Sequence, residues 1–405
     1  MLQDIEIYPE TKIHAKVAAS ILYPEIDTPA VLVDLDKLEA NIKEMTQVAQ
    51  EAGVKLRPHA KVHESVDIAK MQIAAGACGI EVGPVEQAES FVENGINDII
   101  VAHPEYYSGK KLEILKRMLR RPGLKLQIVF DMFEHAESIS RAGQEVGKKV
   151  PILMKIDTNT RATGLPRYGQ LPGEGALVLA REIKDLPGVE LAGLYSHEIG
   201  GMEGSGKMAR KTAEQVTETA RMLKVKGFNM EHVSTGASPE FRHTCHFIKE
   251  GRFPEITEVH PGTCVFGDMS YLSMGGTKSL ETCAASVLVT VMGTSHRDWC
   301  VIDTGYKTFG SLEVGGYKKW KGMISRGVIK GRPDLFIGFL CAETTMVYYR
   351  ESYFSISSRK LEIGEQLEVI PNSMITVSNT KDVLFGVRNG NVERIFKVTS
   401  RGRGV

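Results

Sequence analysis

The stretch Leu56-Arg57-Pro58-His59-Ala60-Lys61-Val62-His63 closes a short extended run and opens a helical one, and how that junction repeats decides the fold. From about residue 28 to about residue 265, β-branched runs alternate with longer helical patterns, the signature of βαβ units around a parallel sheet. The expected strands are Ala30 to Asp34, Lys55 to Pro58, Gly79 to Val82, Asp98 to Ala102, Gln127 to Asp131, Pro151 to Asp157, Glu190 to Ser196 and His232 to Thr235. Eight such strands fit a closed (β/α)8 TIM-like barrel better than an open sheet. Between the first two, Leu38, Ile42, Met45 and Val48 form a helical stripe that Gly53 brings to a stop.

Beyond about residue 270 the pattern changes to alternating segments with Gly-rich turns, such as Ala284 to Met292, Trp299 to Asp303, Met346 to Glu351 and Gln366 to Ile370. The expectation is an α/β protein: a barrel over residues 26–270, then a mainly β domain over residues 271–405 that residues 1–25 are expected to join. Gly262, Gly267, Gly275 and Gly276 cluster at that boundary.

A chain of 405 residues exceeds the size at which single cores stop growing, which agrees with two domains. Its 50 basic residues balance its 50 acidic ones, so the electrostatic footprint of a nucleic-acid or anionic-membrane binder is missing. The first residues carry no basic and apolar leader pattern, and no apolar run approaches the roughly 20 residues of a spanning helix. A cytoplasmic protein with a small-molecule partner is expected. The six cysteines (78, 245, 264, 283, 300 and 341) have no CxxC spacing and read as reduced, buried thiols.

In a barrel, Lys61 falls at the C-terminal mouth of a strand, where such folds keep their active sites. Arg57, His59 and His63 beside it disfavour the ammonium form when protonated, which frees the amine to attack a carbonyl. On spacing alone, a solvated lysine at a helix start stands equally open. Ser234-Thr235-Gly236-Ala237-Ser238-Pro239 follows the last expected barrel strand, and its small residues let backbone N–H groups approach an anion. Taken by itself such a loop is more often a plain turn. His243-Thr244-Cys245-His246 offers soft ligands, short of the three or four well-placed ones that zinc takes.

The order of these motifs resembles the D-threonine aldolase and D-serine dehydratase family of fold-type III pyridoxal 5'-phosphate (PLP) enzymes, which join an alanine-racemase-like barrel to a β domain. The matching pieces are Asp27-Thr28-Pro29-Ala30 with Val33-Asp34-Leu35, Arg57-Pro58-His59-Ala60-Lys61-Val62-His63 and Gly193-Leu194-Tyr195-Ser196-His197. The loop that begins at Ser234, then Glu258-Val259-His260-Pro261-Gly262 and Ile302-Asp303-Thr304-Gly305-Tyr306-Lys307, complete the series. The resemblance implies PLP as cofactor, Lys61 as its covalent anchor, and Ser234, Thr235, Gly236, Ala237 and Ser238 around its phosphate. It further implies Arg57, His59 and His197 lining the cofactor, Tyr195 near the phosphate end or the ring, and Lys61, His59 and His197 as the catalytic set.

Three departures bear on the reaction. The family's arginine near the pyridine nitrogen stands two residues before a glycine, whereas Arg161 stands three before Gly164. Cys264 replaces a tyrosine after the Pro-Gly pair. Most consequentially, Ser373 and Ile375 occupy the places of a His and a Cys or Asp that bind a divalent metal in relatives, and the upstream Glu-His-Gly element reads Glu343-Thr344-Thr345. The resemblance therefore implies a lyase of a β-hydroxy D-amino acid without the usual metal. A metal-independent amino-acid racemase or epimerase and a non-catalytic PLP-binding protein are the alternatives. A homodimer is expected, each barrel mouth being covered by the β domain of the other subunit.

Overall fold

The computed structural model describes residues 16–19, 21–158, 168–197, 205–274, 279–313, 319–320, 323–350 and 360–404. In chain order its first nine strands are β1 (Ala30–Asp34), β2 (Lys55–Leu56), β3 (Ile80–Val82), β4 (Asp98–Val101), β5 (Lys125–Phe130), β6 (Val150–Lys155), β7 (Val189–Tyr195), β8 (His232–Thr235) and β9 (Glu258–Val259). Eight of them form one parallel sheet in the order β2-β9-β8-β7-β6-β5-β4-β3. The two ends meet where His59 bridges Glu81, and where Glu81 and Cys78 donate N–H bonds of 2.9 Å to the carbonyls of Pro58 and Leu56. The barrel is closed.

Its membership corrects the sequence-based expectation. Ala30–Asp34 is not a barrel strand: it lies in the second sheet, antiparallel to Ala285–Gly293 and parallel to Val383–Arg388. Its run of Ala30, Val31, Leu32 and Val33 is buried on both faces, and a buried strand gives the same apolar signature in either kind of sheet. The eighth stave is instead Glu258–Val259, which pairs with β2 and β8 and is too short to give a pattern of its own.

The second sheet runs Leu335–Leu340, Thr345–Tyr349, Trp299–Ile302, Ala285–Gly293, Ala30–Asp34, Val383–Arg388, Asn391–Lys397, with Gln366–Pro371 also paired to Ala285–Gly293. Val17 bridges Ile363 just ahead of Gln366–Pro371, and Tyr23 N donates to Gln366 Oε1 at 2.8 Å. The helix Leu35–Glu51 is capped by Asp34, whose Oδ1 accepts from Lys37 N at 3.1 Å, and it buries Leu38, Ile42, Met45 and Ala49 in a cluster shared with Val259, Phe266 and Leu384. That cluster joins the sheet to the barrel flank. It also brings the short helix Met374–Ser378 onto the turn Ala60–Val62. All six cysteines are free thiols, and four are buried. Among the described residues no helix is long and apolar enough to cross a membrane.

Candidate active site

After β2 the chain passes through His59 into a single 3-10 turn, Ala60–Val62, that lifts Lys61 into the C-terminal mouth of the barrel. His59 shapes this turn: its Nδ1 accepts from Lys61 N at 3.4 Å, which leaves Nε2 to face Glu81 Oε1 at 3.4 Å. Burial, with the charge of Lys61 adding to it, keeps His59 well below the usual histidine range, so the ring is neutral.

Lys61, His59, His197, Ala237, Ser238 and His260 line one cleft of about 160 Å³, and Tyr271, Met274 and Ile375 line it too. Five residues proposed from sequence therefore converge. The loop after β8 turns at Gly236, whose φ of +92° is a left-handed value that a β-branched residue resists, and runs into the helix Phe241–Lys249. Ser238 Oγ accepts from Gly262 N at 2.8 Å, which braces the loop against the segment after β9. Ser234 and Thr235 point elsewhere: Ser234 Oγ is 2.8 Å from His260 Nδ1, and Thr235 Oγ1 accepts from Ser196 Oγ at 2.7 Å. Neither lines the cleft.

Arg57 is the clearest displacement. Its side chain points to the opposite end of the barrel, donating to Asp98 Oδ1 at 2.6 Å and Glu258 Oε2 at 2.9 Å, beside a polar recess lined by Lys55, Lys125 and His232. The arginine of the motif is a floor residue because side chains alternate along a strand, so Arg57 and His59 project inward at different depths. Burial alone would raise the Glu258 carboxyl, but Arg57 and His232 bring it down to about 2. Arg161 lies outside the described residues. Tyr195 is buried below the cleft, its ring stacked on His260 at 4.8 Å.

Two residues given no role from the sequence complete the interior. Glu81, fully buried, accepts from Tyr195 Oη at 2.8 Å and lies 3.8 Å from His260 Nδ1. Burial pushes its carboxyl up, and the same burial pulls His260 down to about 3. A carboxylate between Ile80 and Val82 in a strand buried on every residue was the signal that could have exposed Glu81. Glu81, His197 and His260 offer ligand atoms within 4.8 Å of one another. The soft group at 243–246 does not converge: Cys245 is buried in the apolar cluster, while His246 is exposed and pairs with Glu250 at 3.2 Å. Ser373 precedes the helix Met374–Ser378, and Ile375 presents an apolar face to the cleft.

The geometry also tests the cofactor. A lysine amine at the mouth, next to a glycine-turned loop that leads into a nine-residue helix, has the chemistry that a covalent anchor and a phosphate cradle would need. The donor set fits PLP.

A closed parallel barrel with this mouth, backed by a mainly antiparallel sheet, defines an alanine-racemase-like protein. The chain belongs to the family described as alanine racemase, N-terminal domain, whose model matches residues 33–270. It is 31% identical to D-threo-3-hydroxyaspartate dehydratase of Delftia sp. (strain HT23), over 78% of each chain, and 28% identical to D-threonine aldolase of an Arthrobacter species, over 93% of each. Among solved structures, D-threonine aldolase from Filomicrobium marinum superposes with a TM-score of 0.78 at 25% identity, covering 93% of this chain and 96% of that one. These relatives are lyases by name. A mutant D-threo-3-hydroxyaspartate dehydratase has been solved in a metal-free form.

Proposed function

We propose that the protein is a PLP-dependent lyase of a β-hydroxy D-amino acid, breaking the Cα–Cβ bond or eliminating the β-hydroxyl. The observation that carries this reading is that Lys61, Ala237 and Ser238 line a single cleft. Lys61 would anchor the cofactor, and backbone N–H groups at Gly236, Ala237 and Ser238 would hold its phosphate. Bound there, PLP supplies an electron sink for the charge released at Cα.

The chain's own groups do the rest. Lys61 Nζ, freed when substrate takes its place, moves the proton at Cα or the leaving oxygen. His59, neutral and tied at both ring nitrogens, fixes the Lys61 turn and so the direction of that transfer. His197 borders the cleft just beyond β7, where it would meet the β-oxygen. Ile375 contributes an apolar wall at a place where relatives bind a metal, so the β-hydroxyl is handled from the barrel side. Tyr271 and Met274 exclude water from the reacting atoms. A homodimer would cover the mouth further, and Tyr306, 52% exposed, is suited to reach a partner.

The test is a panel of D- and L-threonine, serine and threo-3-hydroxyaspartate. Aldol cleavage yields glycine and an aldehyde, and dehydration yields a keto acid and ammonia. Turnover confined to D-β-hydroxy substrates supports the proposal; inversion at Cα without either product set would replace it with a racemase.

A further inference from the structure

The barrel interior contains two buried polar atoms that its own hydrogen bonds do not use. Glu81 Oε1 is taken by the Tyr195 hydroxyl, but Glu81 Oε2 has no hydrogen-bond partner. His260 Nδ1 is 2.8 Å from Ser234 Oγ, but His260 Nε2 likewise has none. Both residues are about 1% exposed or less. Leaving such atoms unmet costs on the order of 1–3 kcal/mol each. The two residues stand together, with Glu81 Oε2 3.8 Å from His260 Nδ1, and with His197 they can each offer one ligand atom within 4.8 Å of the others.

The surrounding bonds orient the lone pairs. Ser234 Oγ donates to Glu258 Oε1 at 3.4 Å, so it accepts from His260 Nδ1–H, which fixes the tautomer with a lone pair on Nε2. Tyr195 Oη donates to one oxygen of Glu81 and lies 3.5 Å from His197 Nδ1, so one hydroxyl orders two of the three residues. An imidazole whose second nitrogen is tied to a hydroxyl–carboxylate chain, and a carboxylate held by a phenol, are the outer-shell arrangement that directs ligands onto a metal.

We infer that Glu81 Oε2, His260 Nε2 and the His197 imidazole form a binding site for one divalent first-row cation of the zinc type, at the inner wall of the Lys61 cleft. Two imidazoles and one carboxylate favour zinc or its neighbours over magnesium or calcium, and they leave a coordination position for an oxygen ligand from the cleft. Ligand atoms around tetrahedral zinc stand ~3.4 Å apart, given metal–ligand distances of about 2.1 Å. The group must therefore contract, and half-buried His197, at the end of its strand, is the arm that can swing inward. This site lies on barrel strand β3 and just beyond β7 and β9. It owes nothing to positions 373 and 375, and it stands whether or not the lyase reading holds.

The test uses the PLP-loaded protein, stripped with chelator, dialysed and titrated with ZnCl2 by calorimetry, with bound metal counted by elemental analysis. CoCl2 in place of zinc reports the ligand field through its visible absorption. The expected result is one equivalent per chain, with affinity at least 10-fold weaker in E81Q and in H197A and unchanged in H246A. Because His197 is half-buried, H197A tests the site without removing core volume, and circular dichroism checks that each variant is folded. Failure to bind stoichiometric zinc, equal affinity in E81Q and H197A, or a loss produced only by S373A would each overturn the inference.

Discussion

Tyr195 donates its hydroxyl to Glu81 Oε1 at 2.8 Å, and the two residues stand on β7 and β3, diametrically opposite in the order of the barrel ring. The bond crosses the interior of the barrel, above an apolar plug that includes Ile100, Val129 and Leu153. Tyr195→Phe removes the donor and leaves a buried carboxyl oxygen unmet. A loss of about 1–3 kcal/mol in urea unfolding is expected. Glu81→Leu in the same background should recover part of it, since replacing both partners by apolar groups is far less costly than removing one. No recovery in the double variant would mean that the bond does not govern the cost.

Arg57 offers a sharper distinction between floor and mouth. Arg57→Met deprives buried Glu258 of its main counter-charge, so a loss of about 3–5 kcal/mol is expected. PLP affinity, read by absorbance titration of the folded variant, should change less than twofold. A large drop in affinity without a loss of stability would return Arg57 to the cofactor.

Lys61 and Gly236 test the anchor and the phosphate loop separately. Borohydride should fix PLP on the peptide containing Lys61, and Lys61→Ala should abolish that label and lower turnover by roughly 10²- to 10⁴-fold. Gly236→Val forces a β-branched residue to φ +92° at a strain of about 1–3 kcal/mol, so the dissociation constant for PLP should rise about tenfold. Label on another lysine, or unaltered PLP binding in the glycine variant, would contradict these assignments.

His63 gives a pH signature independent of catalysis. Burial holds it down at about 4, with Gln72 and the Ser65 amide opposing only in part. The folded ring stays neutral between pH 4 and its unfolded pKa of about 6.5, while the unfolded chain takes up a proton in that window. Its contribution is therefore complete above pH 6.5 and is lost as pH falls toward 4. His63→Gln should flatten the dependence of unfolding free energy on pH by about 1.4 kcal/mol per pH unit across that window. An unchanged slope in denaturant melts at several pH values would refute this.

The barrel, the second sheet and the Lys61 mouth were legible because each leaves a local trace: alternating strand and helix patterns, Gly-rich turns, a small-residue loop. What a local pattern cannot carry is partnership. Val31 and Val33 are equally buried whether the neighbour is a barrel stave or Ala285–Gly293, so Ala30–Asp34 was placed in the wrong sheet. Glu258–Val259 has only two residues, and its ladders to β2 and β8 come from chain distant in sequence or brought round by the ring. Arg57 was misplaced by depth: adjacency to Lys61 in sequence says nothing about which end of a barrel a side chain faces. Glu81 and His260 were missed because their significance lies in atoms contributed by β3, β7 and β8 together.

The position of Ala30–Asp34 constrains how the molecule can be made. This strand leaves the ribosome before any barrel stave, yet its ladder partners, Ala285–Gly293 and Val383–Arg388, are synthesised after the last one. During translation it must wait, apolar and unpaired, while the whole barrel emerges between it and its neighbours. The barrel is thus completed first and the second sheet last, and a nascent chain halted before residue 383 would still hold an open edge beside its first strand.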